Sequence, residues 1–296
     1  MKKMGYPYYG PGWTPVRDCE TRKGLNHFLK AMYLALILML VSGLVLGVVL
    51  SSMTGFEGIE DETDVMGMMG TLAVLAISGI IVLVAGIAAF ILFVMGLMEI
   101  HRGKSEFGPA HEGSVKLAII FLILSIVISL VGGGVAVALT LGTVDLANQN
   151  PNAFGVQDTF NGINIITGII GVVSAIFQYL FFVYLVKEIS KPERRTTLWA
   201  GFGLGVGNSI VSLLIIIMIF NGWLLNSAND FELALYTSLI PTVMSVIAII
   251  IFIVCFREVV SRIDSGELKP LPPQMPYYPG YQGMPPPPPP PPPNYQ

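Results

Sequence analysis

The neutral amides Gln178 and Asn208 are the side chains most able to do chemistry inside the long apolar stretches of this sequence. Each falls near the middle of an apolar run, where an amide needs a hydrogen-bond partner or water. The two amides could therefore line a pore for a small neutral solute, or bond to each other between helices. Interhelical bonding is the favoured interpretation, because polar side chains commonly join helices in membrane bundles.

Three glutamates, Glu99, Glu188 and Glu258, follow apolar runs that end alike: Phe-[Val/Ile], four residues, then Glu-[Ile/Val]. Each lies near the C-terminus of a predicted helix, where the helix dipole disfavours an anion. Compensating basic residues follow three or four positions later, on the same helical face: Arg102, Lys191 and Arg262. The three pairs could form a cytoplasmic gate or docking rim. The favoured interpretation is an interfacial cap, inherited through repetition of one helical hairpin.

Catalytic and metal-binding patterns are not found in the sequence. It has no His-Glu-x-x-His, no Gly-x-Ser-x-Gly and no phosphate-binding glycine loop. The acidic loop at 52–70 lacks the spacing of a calcium loop, and the two cysteines are too few for a disulfide framework or zinc site. We therefore expect no enzyme, no cofactor and no metal, and the absence of a basic patch argues against nucleic-acid binding.

Composition indicates the elements that position these residues. Hydrophobic residues make up 53% of the 296 positions and charged residues only 12%, which is typical of a polytopic membrane protein. Six apolar runs are long enough to cross a ~30 Å hydrocarbon core: 28–52, 71–98, 116–142, 162–186, 198–222 and 233–256. Lipid offers no hydrogen-bond partner to the backbone, so the runs must be helices. The predicted fold is all-α, with six transmembrane helices arranged as three helical hairpins in a bundle.

Orientation follows from the basic residues. The first, third and fifth connections between spans contain no Lys or Arg, and all 16 basic residues lie in the other connections, the two terminal segments or their edges. The positive-inside rule then predicts that both termini lie on the cytoplasmic side of a cell membrane. No Asp, Glu, Lys, Arg or His falls in the interior of a span, whereas ion-coupled carriers usually place such residues there.

Two segments rich in proline and tyrosine flank the predicted transmembrane domain, which covers 28–260. The arm at 1–27 opens with Tyr, Pro and Gly, and no packed core is expected in it. The tail at 261–296 is predicted to be disordered and ends in an uninterrupted proline run from 285 to 293, which favours a stiff polyproline II rod. Pro292, Pro293 and Tyr295 have the Pro-Pro-x-Tyr spacing that WW modules bind. A low-complexity solubilising tail is the equal alternative.

The segment Ala85-Gly86-Ile87 through Phe93-Val94-Met95-Gly96-Leu97, with the loop at Phe107-Gly108 and the glycine-containing span that follows, resembles an archaeal family of multi-span membrane proteins. That family is catalogued as domain of unknown function 973. The resemblance covers about 28–260. It implies an archaeal cell membrane, assigns no activity and transfers no functional residues.

Two functions fit these patterns. The first is a non-enzymatic membrane scaffold or anchor acting through its cytoplasmic Pro/Tyr-rich tails, with the lipid bilayer and a polyproline-binding protein or a homo-oligomer as partners. The alternative is a channel or uncoupled transporter for a small neutral solute, lined by Gln178 and Asn208.

Overall fold

The structure, a computed structural model, describes residues 19–53, 62–149, 156–220 and 230–271, with side chains described within 19–42, 77–142, 162–218 and 239–271. In these ranges the chain forms six long helices and no strand. Their bounds are α1 Glu20–Met53, α2 Glu62–Gly103, α3 Pro109–Gln149, α4 Val156–Val186, α5 Pro192–Phe220 and α6 Asp230–Asp264. The all-helical fold class is therefore confirmed.

Each helix contains a segment long and apolar enough to cross a membrane, so the chain is a multi-pass integral membrane protein. The helices also exceed the predicted spans at several ends. At ~1.5 Å per residue, the 42 residues of α2 extend about 63 Å, twice the thickness of the hydrocarbon core. The excess must project from the membrane, and at one end it carries the basic residues. We call that end the basic end.

Packing between neighbours follows the predicted hairpins. The most extensive interfaces within α1–α6 join α1 to α2, α3 to α4, and α5 to α6. The interface between α4 and α5 is nearly as extensive as that between α5 and α6. Contacts between α1 and α6 complete a chain of neighbours, whereas α2 and α3 scarcely touch although a five-residue connection joins them. The helices therefore form an open ring in the order α2, α1, α6, α5, α4, α3, with its gap between α2 and α3.

The densest part of the core lies at the basic end. Four helices contribute rings to an aromatic cluster there: Phe28, Phe93, Phe181, Phe182, Phe252 and Phe256. Phe28 is fully buried, with its ring centroid 5.0 Å from that of Phe93 and 5.8 Å from that of Phe181. The apolar side chains farther along the helices are largely exposed, as expected for surfaces that face lipid.

A close approach of two backbones holds α1 against α2. A β-carbon added at Gly24 would lie 2.7 Å from the carbonyl oxygen of Gly96 and 2.9 Å from the backbone nitrogen of Ile100. Only glycine fits at such a distance. The sequence gives no local sign of this contact, because the two glycines come from different helices.

Both predicted domain boundaries lie inside helices. α1 begins at Glu20, so residues 20–27 of the predicted arm are helical. Cys19, Thr21 and Leu25 are buried. α6 continues to Asp264, with Ile263 fully buried. The expectation that 1–27 has no packed core is wrong for 19–27, because α1 packs against α2 and the connection to α3 well beyond its apolar run.

Candidate functional site

Glu99, Glu188 and Glu258 each contact a basic side chain, but a different one from that predicted. The Glu99 carboxylate lies 2.7 Å from Nδ1 of His27, and that of Glu258 lies 2.7 Å from Nε of Arg194. The Glu188 carboxylate lies 3.4 Å from Arg195 and 3.8 Å from Lys187. The prediction that Arg102, Lys191 and Arg262 supply the cations is wrong.

Helix packing explains the change of partners. Glu99 and Glu258, near the ends of α2 and α6, contact basic groups near the start of the helix packed beside each, α1 or α5. Arg262 is drawn away from Glu258: it lies 3.0 Å from Glu267 and donates to the carbonyl of Ile189 at 2.7 Å. Lys191 also pairs with Glu267, at 3.8 Å.

Glu188 lies outside a helix, in the turn that follows α4. α4 ends at Val186, and α5 begins at Pro192, which occupies the first helical position. Proline suits that position and disfavours helix in the residue before it, so the chain turns between the two helices. The three glutamates are therefore not equivalent, although their sequence surroundings match.

The shared spacing of these helix ends has a packing reason. In α2 and α6 the phenylalanine and the residue after the glutamate are seven positions, or two helical turns, apart and therefore lie on one face, whereas Ile189 lies in the turn after α4. Phe93, Phe182 and Phe252 all belong to the aromatic cluster. The residues seven positions later are all buried: Ile100, Ile189 and Val259. This arrangement leaves the glutamates on an accessible flank, and that the hairpins are copies of one unit stays a prediction.

Glu106, in the connection between α2 and α3, binds the N-terminus of α1. Its Oε1 accepts a hydrogen bond from the backbone N–H of Glu20 at 2.9 Å, and its Oε2 accepts one from that of Thr21 at 3.0 Å. The first N–H groups of a helix have no partner within it, and the positive end of the helix dipole favours a carboxylate. The Thr21 hydroxyl adds a bond to the carbonyl of Gly103 at 3.0 Å.

The thiol of Cys19 also donates to Glu106, at 2.8 Å from Oε2. Burial, together with this carboxylate, raises the pKa of Cys19 from 9.0 to about 12. The thiol therefore remains protonated at neutral pH and is a poor nucleophile. It serves as a third donor to Glu106.

Glu106 also binds the other end of the described chain. Its backbone carbonyl accepts a hydrogen bond from the N–H of Leu271 at 2.6 Å. The first and last described residues, Cys19 and Leu271, are thus both bonded to Glu106. Sequence reasoning missed Glu106 because its partners are more than 80 positions away, and no local pattern marks the contact.

The structure keeps Gln178 and Asn208 apart. Gln178 is exposed and lines a cavity of about 310 Å³ between α2, α3 and α4. Asn208 lines another, of about 460 Å³, between α1, α5 and α6. The hypothesis that the two amides bond to each other is wrong, because they face different sides of the ring: Asn208 donates to the hydroxyl of Ser245 at 2.7 Å.

A cluster of three serines joins α3 to α4 beside the Gln178 cavity. The Ser174 hydroxyl lies 3.0 Å from that of Ser125 and 2.6 Å from that of Ser129, and it donates to the Ser125 carbonyl at 3.1 Å. Ser125 and Ser129 are four positions apart, so they share a helical face. This spacing was the available signal for an interhelical polar contact.

The remaining predicted site residues belong to the proline-rich C-terminal segment. Pro292, Pro293 and Tyr295 lie outside the residues that the structure describes. Across the described ranges, no group of three or more His, Cys, Asp or Glu side chains is arranged to hold a metal ion.

Comparison with known proteins adds no relative: no family model, no curated protein and no solved structure matches this chain. The resemblance to the archaeal membrane-protein family therefore stays a prediction. The most specific feature of the described residues is that the first and last of them, Cys19 and Leu271, both bond to Glu106.

Proposed function

We propose that this protein is a non-enzymatic membrane anchor that presents its two Pro/Tyr-rich tails side by side on the cytoplasmic face of an archaeal cell membrane. The observation that carries the proposal is the double attachment at Glu106, whose side chain binds the start of α1 and whose carbonyl binds Leu271. In the sequence, the Pro/Tyr-rich segments precede Cys19 and follow Leu271. A partner that binds one tail therefore meets the other at high local concentration.

The close packing of the basic end supports the same function. The aromatic cluster, together with the contacts of Glu99 with His27 and of Glu258 with Arg194, joins five helices at the basic end. Polyproline II segments bind aromatic grooves at low entropic cost, because their bound conformation is already populated. A packed helical bundle that carries a polyproline segment suits a docking role, with a polyproline-binding protein as the partner.

The Tyr295→Ala variant tests the tail. We expect a purified WW module to bind the full chain in lipid nanodiscs, and the substitution to weaken binding at least about tenfold, because it removes the tyrosine of the Pro-Pro-x-Tyr motif. Fluorescence anisotropy of the labelled module measures the affinity. Tyr278→Ala, a tyrosine of the same tail outside the motif, is the matched control and should bind like the parent chain.

A deletion of 272–296 should abolish the same binding. The cut belongs after Leu271, because an earlier one would remove the hydrogen bond to Glu106 and disturb the bundle itself. Binding that survives the deletion, or that Tyr278→Ala weakens as much as Tyr295→Ala, would contradict the tail as a docking segment.

A second candidate, passage of a small neutral solute, is favoured by the Asn208 cavity. Its lining includes the hydroxyl residues Ser42, Ser212, Thr242 and Ser245. The Asn208 Oδ1 atom is buried and has no hydrogen-bond partner among the described residues. An unpaired amide oxygen in such surroundings is costly unless water or a polar solute reaches it.

Urea flux into liposomes tests this candidate. If the cavity is a pathway, Asn208→Leu should abolish the flux that the parent chain supports, because it replaces the polar lining with an apolar side chain. Gln178→Leu is the matched control, since Gln178 lines the other cavity. Equal flux through the parent chain and Asn208→Leu would exclude the pathway.

A further inference from the structure

A third cavity, of about 460 Å³, opens at the basic end between the α4–α5 turn, the start of α5 and the last turns of α6. Its charged lining consists of four basic and two acidic side chains: Lys191, Arg194, Arg257, Arg262, Glu258 and Glu267. The lining thus carries an excess of two positive charges. The lining shares no residue with the Asn208 cavity.

Three of the four basic side chains in the cavity take part in ion pairs. Arg194 pairs with Glu258 at 2.7 Å, and Glu267 is shared between Arg262 at 3.0 Å and Lys191 at 3.8 Å. Arg257 is exposed and forms no ion pair or hydrogen bond with the described part of the chain. A guanidinium group in this position offers a planar set of donors that matches a phosphate group.

The cavity is flanked by residue types that are typical of the level where a membrane helix meets the headgroups. Val254, three positions before Arg257, contributes apolar surface and is 43% exposed. Trp199, five positions after Arg194 on α5, is 41% exposed, and tryptophan concentrates at membrane interfaces. A ligand that places phosphate against Arg257 can therefore extend an acyl chain along Val254.

We propose that this cavity binds the phosphate of an anionic lipid headgroup. Arg257 supplies the free cation, and Lys191 and Arg262 share a single carboxylate, that of Glu267, so the lining keeps a net positive charge beside it. Basic pockets between membrane helices recognise anionic headgroups through such charge. The apolar surface of Val254 favours a lipid over a soluble phosphate, which would gain nothing from it. This proposal is independent of the function of the tails.

Spin-labelled phosphatidylglycerol tests the site, with the full chain in phosphatidylcholine nanodiscs and the immobilised lipid fraction measured by electron paramagnetic resonance. Arg257→Gln should lower the association constant about fivefold, which corresponds to the usual contribution of one basic residue near an anionic surface. Glu267→Gln should raise it by a similar factor, since it releases Arg262 and Lys191. A gain in affinity cannot come from misfolding.

Arg102→Gln is the matched control, because Arg102 is an exposed arginine at the end of α2 that does not line this cavity. The association constant should not change in this variant. An equal loss in Arg102→Gln and Arg257→Gln would overturn the site in favour of diffuse surface charge. Complete displacement of the labelled lipid by millimolar inorganic phosphate would overturn it in favour of a soluble anion.

Discussion

Replacing Phe28 by alanine should lower the free energy of unfolding by about 3 kcal/mol or more, the usual cost of deleting a buried aromatic ring. Phe28 is fully buried and packs against Phe93, Phe181 and Phe256, so the substitution opens a void where α1, α2, α4 and α6 meet. The lost contacts are mainly dispersion contacts and edge-to-face ring contacts, which lipid cannot replace within a closed core. Reversible unfolding in mixed detergent micelles, followed by circular dichroism, measures the change.

Phe90→Ala is the control for this prediction. Phe90 lies on α2, one turn from Phe93, and is 66% exposed on the outer surface of the bundle. Its truncation removes the same number of atoms without opening a cavity, so stability should change by less than about 1 kcal/mol. Similar losses in the two variants would mean that the aromatic cluster does not hold the helices together.

Gly24→Ala should separate α1 from α2 and cost about 1–3 kcal/mol, the range found when atoms are added to a packed contact. The added β-carbon would meet the Gly96 carbonyl at 2.7 Å, and this atom belongs to the backbone and cannot rotate away. The start of α1 would have to shift, and its bonds to Glu106 would lengthen. Alkylation of Cys19 should therefore accelerate, with mass spectrometry of the labelled peptide as the readout.

Gly86→Ala distinguishes this clash from a general effect of alanine. A β-carbon at Gly86 would find open space within 4 Å, and alanine favours a helix over glycine by roughly 0.5–1 kcal/mol. Stability should stay the same or rise, and Cys19 should label as slowly as in the parent chain. Loss of stability in Gly86→Ala but not in Gly24→Ala would contradict the close approach of the two backbones.

Physical requirements of the membrane explain why the predicted fold class, spans and hairpins agree with the structure. A hydrocarbon core demands about 20 apolar residues per crossing and a backbone that satisfies its own hydrogen bonds, and both demands are visible in one sequence. Connections too short to cross the bilayer then make sequential helices antiparallel neighbours. The helix ends were harder to predict, because α1 and α6 continue through polar residues, including Thr21 and Arg262, that bond to other segments.

The candidate site was predictable only in part. Spacing placed Glu99, Glu188 and Glu258 near ends of apolar runs, and the basic end does carry them. The partners of Glu99 and Glu258 depend on which neighbouring helix lies beside each glutamate, and spacing along a single helix does not contain that information. The same is true of Gln178 and Asn208, since the rotation of α4 and α5 decides which cavity each amide faces.

The sequence by itself determined a multi-pass helical membrane protein with its basic residues at one end, because burial in lipid is a property of each segment alone. Only the tertiary structure decided that Glu106 binds both ends of the described chain, that Gly24 touches Gly96, and that Arg257 lacks a partner among the described residues. Each of these depends on contacts between segments far apart in the chain. Such contacts follow from how helices pack against one another, and the apolar character of each helix leaves many packings open.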